Sequence, residues 1–591
     1  MKKIFNNKIA IVMLIALSLI ACDKEFLEET NPNEISTDSF WKSVDDLTLG
    51  INAVYNTFKD GSIMLTGDET VRADLAYPGY GRPNTTNEYY LKTFNDASTS
   101  VNNKWQALYK GIFRANQVIE ACDRLMGTLG STQKEKSALE ILAQAKFFRG
   151  LFYFYLHNSF NQGAVPIFNF VPATESDFYQ PISTAETVRD FYIADLEFAK
   201  ENLPATWELS NDKGRVTSGA ATAVLGKSYL YAKDYVTAKE YFKSVINDFD
   251  YSLTPNIGSN FTTADELNSE SILEINYSLN YKAEINPYAA EQTSSLLNFT
   301  FSSAQTGGYR SVYPACWLIM EYKNEKLDYS DERNLITEED GTVRLRDYSL
   351  RTSYSIALVD DRDLEYYGAT TAQKSIFNGK ETAYWRKYTN WDITDNEKNI
   401  SQSTPRSGVN VRVIRLSDVL LMYAECLIEG GNNDGGVDEA LLAINKVRHR
   451  SAVQLLGLNL TGDYPANDHD NISYTAQSLM HHLMYIERPL ELSAEGMAIR
   501  VMDLRRWGIT KQRYQELSLK RYNVKDYDFV DLNGKNQTRW GSVLIETDEA
   551  DSHPDLNEFE QSAENYNEAE HGYWPIPNSE VVANPNLYNN K

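Results

Sequence analysis

Helical periodicity is the strongest constraint on this chain. Apolar residues recur at spacings of three and four through long runs, and only a helix gathers such positions onto one side. The pattern predicts helices over residues 44–59, 101–126, 133–158, 186–202, 218–232, 235–248, 416–430, 437–450 and 474–506. Between about 250 and 415 it gives way to Ser, Thr, Asn, Tyr and Gly, with short strand-like runs such as 271–277. Residues 508–590 read as mostly irregular.

One repeat is legible inside the helical part. Leu225, Gly226, Tyr229, Ala238 and Phe242 follow, without a gap, the alternation of small and large side chains that interlocks two antiparallel helices in a tetratricopeptide unit. Gly226 is expected to admit the second helix, and Ala238 to keep the crossing tight. A weaker copy places Ala424 and Leu427 on one helix and Ala440, Ile444 and Val447 on the next. Its turn, 430–436, is longer than the repeat's by about four residues. Such repeats build scaffolds and concave surfaces and carry no chemistry of their own. The expected fold class is mainly α: tetratricopeptide-like helical hairpins with an irregular, loop-rich part and a few short strands.

The N-terminus reads as a leader. Lys2, Lys3 and Lys8 precede an uncharged apolar run from Ile9 to Ala21. At about 13 residues the run is shorter than the ~20 a membrane span requires. It ends in Leu19-Ile20-Ala21-Cys22, which resembles a bacterial lipobox. Residues 1–21 are therefore expected to be removed and Cys22 to be lipidated, with more than one acyl chain giving a stable anchor. The other cysteines, Cys122, Cys316 and Cys426, lie in apolar settings without disulfide or metal spacing and are expected in the core.

Charge and motifs exclude several functions. A net charge of -25 argues against nucleic acid, whose phosphates need clustered Lys and Arg. The densest charged block runs from Ile486 to Trp507. Its Glu487, Glu491 and Glu495 fall on one helix face beside Arg488, Arg500 and Arg505. A glycosidase needs two carboxylates facing each other across a cleft, so this block is expected to be a structural ion-pair network. His481 and His482 lack metalloprotease spacing and are expected on a helix surface. Asp528, Asp531, Asn533 and Gly534 resemble part of a calcium loop, but Phe529 and Trp540 occupy ligand positions. No phosphate loop or nucleophile elbow occurs. No catalytic residue, cofactor or metal is assigned.

What remains is aromatic loop content. Sugars present C–H faces that stack on rings, while amides and guanidiniums bond their hydroxyls. The candidates are Tyr77, Tyr80 and Arg82 in the segment 76–83; Tyr281 within 277–288; Tyr309 and Trp317 in 308–317; and Trp391.

In order along the chain stand Cys22-Asp23-Lys24-Glu25-Phe26-Leu27-Glu28, Phe40-Trp41, Trp105 with Tyr109, Ile112, Ala115 and Asn116, Ala143-Gln144-Ala145-Lys146-Phe147-Phe148-Arg149-Gly150, Gly214-Arg215-Val216-Thr217, and Arg415-Leu416-Ser417-Asp418. The Glu487–Trp507 block and Trp574-Pro575-Ile576-Pro577 close the series. This order resembles the SusD/RagB family of nutrient-binding outer-membrane lipoproteins. The resemblance implies a single body over 22–591, with a helical repeat part at about 44–250, an irregular ligand-bearing part at 251–415, C-terminal helices at 416–507 and an irregular segment at 508–591. It implies a non-enzymatic, surface-exposed protein that captures oligosaccharide and passes it to a SusC-like TonB-dependent transporter. A peptide-binding lid of the same transporter type, a surface glycoside hydrolase and a pure scaffold are the alternatives.

Overall fold

The computed structural model describes residues 40–79, 81–280, 293–374, 377, 380–400, 404–459 and 463–589. The expected leader, 1–21, and Cys22, Tyr80 and Tyr281 lie outside the described residues. Among the described residues, no helix is long and apolar enough to cross a membrane.

Eight long helices follow the periodic runs: α1 (Val44–Phe58), α2 (Thr99–Leu125), α3 (Thr132–Ser159), α4 (Ala185–Asn202), α5 (Ser218–Tyr231), α6 (Tyr235–Asn247), α7 (Leu416–Glu429) and α8 (Val437–Arg450). Local chemistry sets their starts. The side chains of Ser131, Thr184, Thr217 and Asp234 each accept a hydrogen bond from a backbone N–H three residues on, satisfying a donor the helix cannot. Successive helices pack as antiparallel neighbours: α2 on α3, α3 on α4, α5 on α6, and α7 on α8. A Cβ on Gly226 would meet the Phe242 ring at 2.6 Å, so a bare backbone is required where α5 and α6 cross. The three cysteines are buried and unbridged. One apolar cluster runs from Leu47 to Leu587.

The strands form five two-stranded antiparallel pairs among the described residues. They are β1 (Ala76–Pro78) with β3 (Val312–Pro314), β2 (Ser271–Ile275) with β8 (Val411–Arg415), β4 (Leu335–Thr337) with β5 (Val343–Leu345), β6 (Ile356–Leu358) with β7 (Ala383–Trp385), and β9 (Tyr522–Val530) with β10 (Asn536–Glu546). The last pair corrects the expectation of an irregular 508–590, since it holds the longest strands. The Asp528–Gly534 stretch is the end and turn of this hairpin. Asp531 Oδ1 accepts the backbone N–H groups of Asn533 and Lys535.

The single helix expected over 474–506 is also corrected. It is divided into Ala476–His482, a wider turn at Leu483–Glu487, Arg488–Leu492 and Ile499–Arg506. Ala494 and Ala498 take left-handed backbone at the break. The interruption carries Glu495 to Arg415 and Lys387. His481 is exposed as expected, and His482 is half-buried, its Nε2 3.1 Å from Glu487 Oε2.

The three glutamates do form an ion-pair network, with partners from distant segments and not from Arg488, Arg500 and Arg505. Glu487 binds Arg351 at 2.5 Å and Arg448 at 2.6 Å. Glu491 binds Arg415 at 2.7 Å and also Arg450. Glu495 binds Arg415 and Lys387, both at 2.6 Å. Glu270, just before β2, binds Arg415 at 2.7 Å and Arg450 at 2.9 Å, and Glu325 closes on Arg351. Every member is nearly solvent-free. Arg351 Nη1 reaches both Glu487 and Glu491, so a guanidinium occupies the place a glycosidic bond would need. Burial pushes the Glu491 carboxyl up, and Arg450, Arg415 and Arg351 outweigh it, bringing it down to about 2.

Removing one member leaves buried charge unpaired, which costs about 3–5 kcal/mol. Glu491→Gln is expected to lower unfolding free energy by about that amount in urea titration. The Glu491 carboxyl is depressed in the folded state relative to its ordinary 4.5, so its stabilisation is complete above pH 4.5 and is lost as pH falls toward about 2. Wild-type stability measured at stepped pH should decline through that window, and the Gln variant should decline less.

Candidate functional site

Three of the candidate aromatic stretches converge on one surface. Pairing of β1 with β3 sets Tyr77 opposite Tyr313, and the ladder continues where Gly79 N–H donates to Ser311 O at 2.7 Å. The chain before β3 folds back on the short helix Leu297–Phe301: Tyr309 N–H donates to Phe299 O and Arg310 N–H to Ser302 O. β3 packs on β7, which follows Glu381. Trp391 starts a segment that returns to the same turn, where Asn396 Nδ2 reaches Gln305 O at 3.5 Å.

The exposed centre is a stacked pair. The rings of Phe299 and Tyr309 lie 5.0 Å apart with 19° between their planes, and Tyr309 is 53 % exposed. Beside them Arg310 Nη1 is fixed at 2.8 Å from Glu381 Oε1, with a third of its side chain in solvent. Glu381 also accepts the hydroxyls of Tyr313 and Tyr384. Burial, then the Glu381 charge, pushes both phenols above their ordinary range, so they remain protonated donors. A rigid ring face next to an oriented guanidinium can hold a flat, hydroxyl-bearing ligand by stacking and hydrogen bonding. Sequence reasoning missed Phe299 and Glu381. A lone Phe and a lone Glu carry no signature until folding brings them beside Tyr309 and Arg310.

The other described candidates are buried or half-buried. Tyr77 is buried: its hydroxyl accepts Asn84 N–H and the Arg82 guanidinium sits 4.0 Å from its ring centroid. Arg82 is itself bound to Glu558 at 2.7 Å. Trp317 is 4 % exposed, donates Nε1–H to Asp74 O, and is covered by Arg513 at 4.2 Å. Their ring faces are covered by protein. Trp391 is half-buried against Arg386 at 4.6 Å and Tyr354 at 6.2 Å.

Concavities lie elsewhere, one of them a hollow of about 390 Å³ beside Phe40 and Trp41. Another hollow of about 390 Å³ between α2 and the C-terminal segment is lined by Trp105, Tyr109, Phe113, Phe168 and Phe178. Polar groups there are committed internally: Trp105 Nε1 donates to Glu580, and the Asn116 amide bonds the Phe168 and Phe170 carbonyls. A cleft of about 320 Å³ beside α1 and β2 is lined by Asn52, Lys213, Arg215 and Asn276, and its Tyr55 hydroxyl is bonded to Gln144 and Val216. In the hollow beside α2 Phe178 and Phe170 are 51 % and 37 % exposed, whereas the rings of the cleft, Tyr55 and Phe58, are half-buried and buried.

Residues 269–591 match the family described as "SusD family", and residues 25–230 match one described as "Starch-binding associating with outer membrane". The chain belongs to the SusD family. It is 27 % identical to SusD-like protein P25 of Formosa agariphila, across 92 % of this chain and 98 % of that one. A SusD-like protein of Bacteroides ovatus is 25 % identical over 77 % of this chain and 78 % of its own length. Among solved structures, a SusD homolog from Bacteroides thetaiotaomicron superposes with a TM-score of 0.70 at 19 % identity, covering 95 % of this chain and 99 % of that one. A laminarin-binding SusD-like protein superposes with a TM-score of 0.58 at 21 % identity, covering 80 % and 94 %.

Trp317→Ala is expected to cost about 3–5 kcal/mol by opening a core cavity. Tyr309→Ala is expected to change stability by no more than about 0.5 kcal/mol. Urea unfolding of the two variants checks this division between support and surface.

Proposed function

We propose that this protein captures oligosaccharide at the outer cell surface and hands it, uncleaved, to a TonB-dependent transporter. The observation that carries the reading is the exposed Phe299–Tyr309 stack beside the Glu381-anchored Arg310. Stacking on one ring and charge-assisted hydrogen bonds from one guanidinium give modest affinity, which suits cargo that must be released. The similarity to a laminarin-binding SusD-like protein and to surface glycan-binding protein A of Bacteroides fluxus supports a sugar ligand. Burial of Glu487, Glu491 and Glu495 among arginines supports binding without hydrolysis. A lipid on Cys22 supplies the attachment.

Equilibrium binding against a glycan and peptide array tests the ligand class. At least one oligosaccharide should bind and yield no new reducing ends. Tyr309→Ala should weaken it about tenfold, the ~1.4 kcal/mol an aromatic stacking contact contributes. Binding confined to peptides, or hydrolysis of bound glycan, would overturn the reading. Cys22→Ser should leave the protein unacylated and recovered in the soluble fraction, read by fractionation and mass spectrometry.

A further inference from the structure

The sequence holds nine tryptophans, and eight are buried or half-buried. Trp540 is 73 % exposed, the most exposed aromatic residue among the described ones. It stands on β10, on the outward face of the β9–β10 hairpin.

Both faces of the hairpin are defined. On the inner face Tyr527 and Phe529 stack, and the Arg539 guanidinium lies 4.2 Å from the Phe529 ring centroid. Arg539 donates to Val359 O at 2.9 Å and to Lys374 O at 2.6 Å, which fixes the hairpin to the body. The strand pairing shifts between Arg539 and Val543. In that bulge Gly541 takes a φ of 55°, donates its N–H to Asp526 Oδ1 at 2.8 Å and accepts Lys380 N–H at 2.8 Å. Trp540 is therefore displayed on clamped backbone.

Its neighbours on the outer face are polar. Asp528 Oδ1 accepts the Thr538 hydroxyl at 2.6 Å, in a cross-strand pair. Asp526 and Asp528 are exposed, and each makes its hairpin bond through Oδ1, so Oδ2 is positioned to accept a further hydrogen bond. A ring flanked by carboxylates suits sugar hydroxyls, which donate to them, and repels uronates and sulfates. A short chain of bonded residues links the hairpin to the first site. Lys380, bonded to Gly541, precedes Glu381, which holds Arg310 next to Tyr309.

We propose that Trp540, with Asp526 and Asp528, is a second stacking platform that takes a distal sugar residue of a neutral oligosaccharide whose other part rests on Tyr309. This rests on the oligosaccharide-capture reading and adds that the protein reads chain length and neutrality.

The test is calorimetric titration of the full mature protein with neutral laminari-, cello-, xylo- and malto-oligosaccharides of graded length, and with an acidic oligogalacturonide series. For the series that binds, Trp540→Ala should weaken the longest members about five- to tenfold and leave the shortest bound members within about twofold. Trp540→Phe should restore most of the difference. Tyr309→Ala should weaken every length. An equal effect of Trp540→Ala at all lengths, no effect at any, or tighter binding of the acidic series would overturn this proposal while oligosaccharide capture stands. If the wild-type protein binds no oligosaccharide, both readings fall.

Discussion

The buried lattice around Glu491 and Arg415 is the interaction on which the rest of the architecture depends. Five carboxylates (Glu270, Glu325, Glu487, Glu491, Glu495) meet five cations (Arg351, Arg415, Arg448, Arg450, Lys387) in a nearly dry interior. The donors and acceptors come from the start of β2, the end of β8, the C-terminus of α8 and the segments around 351, 387 and 490. No single helix pair needs such a lattice. A chain that must join a repeat scaffold to a loop-rich body does, because irregular backbone has no ridges to interlock with helices. Forked guanidiniums fix direction as well as distance, which methyl groups packed in oil-like contact do not.

Much of the fold was legible because helices announce themselves locally. The spacing of Leu225, Gly226 and Phe242 is a contact list written in the sequence, and the structure meets it. The ion-pair block was legible in kind but not in partners. Glu487, Glu491 and Glu495 share a face, but the chain breaks after Leu492, and the cations lie about 40 to 140 residues away along the sequence. The β9–β10 hairpin was overlooked although Asn533-Gly534 between alternating segments is a turn signal. Aspartates at alternate positions made those strands read as polar loop.

The candidate binding surface shows a different limit. Tyr77 and Tyr309 look alike in sequence, each an aromatic in a polar, glycine-bearing stretch, and Trp317 follows Tyr309 by eight residues. Only Tyr309 is exposed, because β1–β3 pairing and the Asp74, Arg82 and Arg513 contacts absorb the other two. Which ring faces solvent is decided by long-range contacts with residues such as Glu558, far along the chain. The ring count of a loop therefore says that a platform can exist, and tertiary structure says where.

Arg539 attaches the outer half of the hairpin to the body through two backbone carbonyls, those of Val359 and Lys374. Backbone acceptors are present whatever side chains those positions bear. Mutation can thus rewrite the outward residues of β9 and β10, or lengthen their turn, without asking the core to change with them. That separation lets the outer face of the hairpin diversify among descendants of one scaffold while the charged interior stays fixed.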